Sequence, residues 1–139
     1  MTVSWTLNDL QNALDASPAI AFHGMEAIAL DIEAPSVKLK MALKPELERA
    51  AGSGMFHGGP VATFIDTAGD FAVALSVGGG VPTMNFRVDY LRPCIGSYIT
   101  AHARARRIGK SVAVVDIDVF DDQDRLCAIG RGAYATVVG

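Results

Sequence analysis

Cysteine is scarce in this sequence: two among 139 residues, Cys94 and Cys127. Two cysteines make no disulfide framework in a chain of this length, and without CxxC spacing a zinc site is not expected. No apolar run reaches the roughly 20 residues that a membrane helix requires. The opening MTVSWTLNDL lacks the basic and then apolar regions of a signal peptide. These absences point to a reducing cytoplasm and to no membrane partner. A basic excess is missing too. Twelve Lys and Arg stand against 15 Asp and Glu, a net charge of −3, which argues against nucleic acid as a general partner. There is no internal repeat and no low-complexity stretch.

What the chain has is enough apolar content, 50%, to fill one core in one domain over residues 1–139. Its charge is uneven. Residues 1–86 carry 4 basic and 9 acidic side chains, while residues 87–139 carry 8 and 6. Arg104, Arg106, Arg107 and Lys110 follow one another with no acid between them. Such a strip suits a small anion, and equally a solvated face.

Periodicity orders the elements. Thr6 to Asp15 reads as a short amphipathic helix with Leu7, Leu10 and Leu14 at helical spacing, ended by Pro18. Ile28, Leu30 and Ile32 alternate with polar or small residues, as do Val37, Leu39, Met41 and Leu43, and Ala34-Pro35-Ser36 turns between them. This predicts a hairpin with one wet face. Gly59 to Val77 is different: apolar residues fall on nearly all sides and no Lys or Arg interrupts them. That pattern predicts a helix buried all round, begun by Pro60 and stopped by Gly78-Gly79-Gly80. Four meandering strands follow, centred on Met84–Tyr90, Ile99–Arg106, Ala113–Val119 and Leu126–Val138. One long helix wrapped by a single antiparallel sheet of five to six strands, plus the short N-terminal helix, makes an α+β fold.

Asp66 lies in the middle of the helix predicted to be buried. A buried carboxylate needs partners or a raised pKa; otherwise that face reaches solvent. Asp70 shares the face four residues on, where like charges repel, and reads as structural or solvated. His57-Gly58-Gly59 precedes the helix. Amides there lack intrahelical partners and sit at the positive end of the helix dipole, so they are able to polarise a carbonyl. The alternative for this tripeptide is a plain turn with a cap.

His57-Gly58-Gly59 followed by Phe64-Ile65-Asp66-Thr67-Ala68 resembles the thioesterase motif of the hotdog superfamily, and its phenylacetate-pathway (PaaI-like) acyl-CoA thioesterases in particular. Thr83 to Pro93, ending in Tyr90-Leu91-Arg92-Pro93, resembles that family's next strand. Arg107-Ile108-Gly109-Lys110-Ser111 resembles its basic turn. The likeness runs from about Met25 to Val138. It implies a hotdog fold and hydrolysis of an acyl-CoA thioester without a cofactor, coenzyme A arriving as part of the substrate. Asp66 is then the base or nucleophile, the Gly58 amide the carbonyl polariser, His57 the residue shaping that turn, and Thr83 the one orienting water. Gly59, Asn85, Arg107, Gly109, Lys110 and Ser111 become substrate-binding positions, with Arg107 and Lys110 at the phosphates. The family also implies a homodimer, paired into a dimer of dimers, with sites between subunits. One departure stands out: Ala51 occupies the place of a family Asn, though Gly54 is kept. Two other readings follow from the same fold: a protein that binds acyl-CoA without turnover, and a hotdog dehydratase or hydratase. The latter needs a His and an acid in an arrangement not found here.

Overall fold

A computed structural model describes residues 4–139. Helix α1 (Leu7–Ala16) begins with a reciprocal cap. Thr6 Oγ1 accepts the Asp9 N–H at 3.1 Å, and the Asp9 carboxylate accepts the Thr6 N–H at 2.9 Å. Two donors that no helical turn can pair are thereby satisfied. Leu10 and Leu14 are fully buried, whereas Leu7 stays 43% exposed, so the expected three-leucine stripe narrows to two. A second helix, α2 (Pro18–His23), follows where only an end was expected. Pro18 falls in its first turn, where a missing N–H costs nothing. Lys44 fastens it, with Nζ donating to the Phe22 carbonyl and lying 4.1 Å from the Phe22 ring centroid.

Strands β1 (Met25–Asp31) and β2 (Ser36–Ala42) form the expected hairpin. Val37, Leu39 and Met41 point inward as read. The phase of β1 differs. A register irregularity between Ala27 and Ala29 puts Met25 and Ala27 in the core and leaves Ile28 37% exposed, while Ile32 lies in the turn. An inserted residue reverses which face the following side chains occupy, and the alternation of Ile28, Leu30 and Ile32 does not reveal it.

The long helix α3 spans Gly58–Val77, one residue more than predicted. Phe64, Ile65, Ala68 and Ala72 are fully buried, but Ala62, Thr63, Asp66 and Asp70 are only partly so. It is therefore the core helix with one small and polar stripe left accessible. By length and composition it would also cross a bilayer, yet it lies against the sheet, closest to β2, β4 and β5.

The remaining strands are β3 (Thr83–Tyr90), β4 (Tyr98–Ile108), β5 (Val112–Asp121) and β6 (Leu126–Ala135). All six form one antiparallel sheet in the order β1-β2-β4-β5-β6-β3. The expectation of four meandering strands holds for β4, β5 and β6 only. The chain leaves α3 on the β6 side, so β3 pairs with β6 at the far edge. A strap, residues 91–97, then crosses the end of the sheet back to β4. The last strand stops at Ala135 rather than Val138, because Thr136 turns to bond Lys110 and Ser111 and the Gly139 N–H reaches the Gly80 carbonyl.

Helix and sheet meet most tightly at Gly69. A Cβ placed there would lie 2.1 Å from the Tyr134 hydroxyl. Tyr134 is fully buried beneath the helix, and its hydroxyl donates to the Asp66 carbonyl at 3.2 Å. Gly69→Ala should therefore lower stability by about 1–3 kcal/mol through overpacking, despite the ~1 kcal/mol by which alanine favours a helix. Denaturant unfolding measures it; a variant as stable as the parent would show that Tyr134 moves aside freely.

Candidate active site

Thr83, the first residue of β3, donates its hydroxyl to Asp66 Oδ1 at 2.7 Å. One carboxylate oxygen is thus fixed, and the group is oriented along the accessible stripe of α3. The family resemblance implies that Thr83 orients water; the structure places its hydroxyl on the carboxylate itself. Asp66 borders a cavity of about 440 Å³ together with Thr67, Asp70, Phe71, Val81 and Ile20 of α2. Phe71 is braced from outside by Trp5, ring to ring at 6.4 Å. Carboxylates and apolar walls share this hollow, which suits a polar reacting centre beside an apolar group.

Eight residues earlier the same helix begins. His57 caps it, its Nδ1 accepting the Gly59 N–H at 3.2 Å. Pro60 has no N–H to offer. The Gly58 N–H has no acceptor among the described residues, so at the positive end of the dipole one amide stands ready for an oxygen. The Tyr90 hydroxyl donates to the Gly58 carbonyl at 2.6 Å, and a Cβ on Gly58 would sit 3.3 Å from that hydroxyl. A second cavity, about 640 Å³, opens here between Gly58, Gly59, Tyr90, Arg92, Cys94 and Met55. In the sequence Tyr90 belongs to a strand and to the strand end that resembles the family's. Its place in the Tyr-Leu-Arg-Pro stretch was visible, its hydrogen bond across 32 residues was not.

Asp66 and the Gly58 amide are not neighbours within the chain. Eight residues of α-helix separate them by about 12 Å along the axis, and they border different cavities. They do lie at opposite ends of one strand, since β3 starts at Thr83 beside Asp66 and ends at Tyr90 beside Gly58.

The basic turn joins β4 to β5 at the Thr83 end of the sheet. Gly109 closes it by donating to the Val112 carbonyl at 2.9 Å, and a Cβ there would clash with that same oxygen at 2.8 Å. The Ser111 and Lys110 carbonyls accept from Thr136, next to Ala135, whose N–H bonds Pro82. Arg107 and Lys110 are exposed. Arg107 shares a cross-strand row with Val114, Ala133 and Asn85. That row is on the face turned away from α3, because Tyr134 and Gly130 on the other face touch the helix. Asn85 and Arg107 therefore share that face but stand three strands apart, about 14 Å, and neither lies beside Asp66. Arg104 and Arg106 belong to the same outer face, where Asp116 binds Arg131 at 2.6 Å and Arg106 at 3.6 Å. Ala51 is exposed in a turn whose Gly52 and Gly54 amides bond Glu48. The Ser53 hydroxyl accepts from the Met55 N–H, so it serves that turn.

Asp70 anchors the start of β3 by accepting the Val81 N–H at 3.0 Å, the structural role read from the sequence. Burial pushes its carboxyl up to about 6, against the pull of that hydrogen bond, and the charge of Asp66 adds to the rise. For an acid raised from 3.8, the folded chain binds the proton more tightly than the unfolded one. The resulting stability is complete below pH 3.8 and is lost as pH rises through 6. Asp70→Asn keeps an acceptor for Val81 and cannot ionise. Relative to the parent it should gain about 1–2 kcal/mol between pH 4 and pH 7, allowing for partial solvent exposure. Denaturant melts across that range measure the gain; parallel pH profiles for the two proteins would rule Asp70 out as the titrating group.

Comparison with known proteins identifies the family and the fold. Residues 53–128 match the family model described as thioesterase superfamily. A Halobacterium salinarum protein that carries an esterase name is 32% identical over 136 residues, covering 90% of this chain and 88% of its own. The acyl-coenzyme A thioesterase PaaI of Escherichia coli is 35% identical over 85 residues, 60% of this chain and 59% of that one. The solved structure of a Haemophilus influenzae thioesterase superposes with a TM-score of 0.84 at 24% identity, over 96% of this chain and 92% of that one. With its single wrapped helix, its His-Gly-Gly start and this full-length likeness, the chain belongs to the thioesterase superfamily and has its hotdog fold.

Proposed function

We propose that the protein hydrolyses an acyl-CoA thioester in a site completed by a second copy of the chain. The observation that carries this is the position of two reactive groups at the two ends of one free strand. β3 has a neighbour on one side only, and its exposed side chains include Met84, Phe86 and Tyr90, at 58, 38 and 53%. An open, apolar edge invites strand pairing. Two copies of β3 paired antiparallel about a two-fold axis set the Thr83 end of one against the Tyr90 end of the other. Asp66 of each chain then faces the Gly58 amide of its partner, and the 12 Å gap within the chain ceases to matter.

The chemistry follows from those parts. The thioester carbonyl accepts the Gly58 N–H, which stabilises negative charge building on its oxygen. Asp66, oriented by Thr83, takes a proton from water as the water oxygen attacks the carbonyl carbon. Direct attack by the carboxylate is the variant of this step. Collapse of the tetrahedral intermediate expels the coenzyme A thiolate, which receives the proton from Asp66. The exposed cations Arg107 and Lys110 lie at the same end of the sheet as Asp66, and they are the residues for the coenzyme A phosphates. Gly59, Gly109 and Ser111 shape the two turns between which the substrate would run. Binding without turnover is the second reading, favoured by Ala51, which brings no polar group to the site.

Free thiol release from a panel of acyl-CoAs tests the activity, and a parent inert towards all of them would leave the binding reading in its place. Asp66→Asn should lower turnover by at least ~100-fold with coenzyme A affinity retained; turnover within a few-fold of the parent would remove Asp66 from the mechanism. Gly58→Pro deletes the amide donor and adds a Cβ 3.3 Å from the Tyr90 hydroxyl, so Gly58→Ala, which adds the same Cβ and keeps the N–H, is its control. His57 has φ −66 and ψ 147, which a following proline accepts, and proline suits the first helical position. Its rate should fall by about 10²–10³. Refolding the two inactive variants together makes mixed dimers with one intact site, which should restore about a quarter of parent activity. Two sites each contained in a single chain would give no recovery.

A further inference from the structure

Cys94 and Cys127 are 33 residues apart in sequence, and the hydrolytic reading uses neither. The structure sets their Sγ atoms 2.9 Å apart, in hydrogen-bond contact inside the core. Cys94 is on the strap that crosses the end of the sheet, and Cys127 is on β6. Both backbones are pinned. The Cys94 carbonyl accepts the Phe56 N–H at 2.9 Å, and the Cys127 carbonyl accepts from Leu91 at 2.9 Å and Arg92 at 3.2 Å. The two thiols differ in access: Cys127 is wholly buried, whereas Cys94 borders the cavity at the start of α3. They differ in acidity as well. The bond between them lowers the pKa of Cys94 and raises that of Cys127.

We propose that Cys94 and Cys127 form an oxidisable dithiol, a modification site whose co-substrate is a small hydroperoxide entering through the cavity beside Gly58. A buried thiol alone is ordinarily inert. A thiol with one side on a cavity and a second thiol in contact on the other has both a way in and a resolving partner. With hydrogen peroxide as the hydroperoxide, Cys94, as thiolate, attacks one peroxide oxygen, and the O–O bond breaks to give Cys94 sulfenic acid and hydroxide, which takes up the proton the Cys94 thiol released and leaves as water. Cys127 then attacks the sulfenic sulfur, the S–O bond breaks, and a second water leaves with the Cys127 proton. Two electrons pass from the thiols to the peroxide, and two waters and one disulfide result. The sulfurs have about 0.9 Å to close to reach a disulfide bond length. The product ties the strap that walls the cavity to β6. This inference stands apart from the thioesterase reading and does not need it.

The test uses the whole, fully reduced protein and dilute hydrogen peroxide. The expected product has lost 2 mass units per chain and both free thiols. It yields one cross-linked Cys94–Cys127 peptide and returns to the starting mass with dithiothreitol. Its melting temperature should rise by roughly 5–10 °C, because the link constrains the unfolded chain. In Cys127→Ala, Cys94 should stop at the sulfenic acid, trapped by dimedone. Should that variant fail to fold, the mass and thiol count of the parent decide alone. Two thiols surviving the treatment, separate oxygen additions on the two cysteine peptides, or disulfides between chains would overturn the proposal.

Discussion

Two carboxylates, Asp66 and Asp70, ride on a helix otherwise packed into apolar surroundings, and each is held by the segment that follows the helix. Thr83 donates to Asp66 and the Val81 amide donates to Asp70. A carboxylate without such partners would be costly at this depth. These two bonds fix where β3 starts, and from there it runs along the far edge beside β6 instead of next to β4. The strap over the end of the sheet follows from that choice, because the chain has to return from the far edge to reach β4. So do the free edge of β3, the hydrogen bond from Tyr90 to Gly58 and the meeting of Cys94 with Cys127.

Rigidity on one side of the helix and openness on the other come from residue size. Beneath α3, Gly69 lets Tyr134 reach the Asp66 carbonyl, and a Cβ on Gly130 would stand 2.5 Å from Ile65. These close approaches leave the helix little freedom to shift or rotate. Above it, Gly59 is exposed and Ala62, Thr63 and Asp66 are partly so. A carboxylate held by Thr83 and partly open to solvent suits the thioester hydrolysis proposed above. In the proposed reaction neither Asp66 nor the Gly58 amide would have to move far if a second chain supplies one of them.

Much of this was legible from residue order. The first helix, the hairpin, the long and mostly apolar helix and the later strands announce themselves by period. The period reports which face a residue takes relative to its own element. His57-Gly58-Gly59 and Asp66 stood out because their chemistry is wrong for a plain buried helix. The errors have a common form. Ile28 changed face because of a single irregularity in register, α2 was too short for any period to declare it, and β3 went to an edge that no local pattern encodes.

The sequence by itself determined the elements, the buried helix and the residue types available for chemistry, because these depend on neighbours within a few positions. Only the tertiary structure decided which of those residues meet. Thr83 reaches Asp66 across 17 residues, Tyr90 reaches Gly58 across 32, and Cys94 reaches Cys127 across 33. It also separated Asn85 and Arg107 from Asp66 by placing them on the outer face of the sheet. The physical reason is that strand order and register are fixed by burying the whole apolar surface at once, a sum over the chain that no local stretch contains.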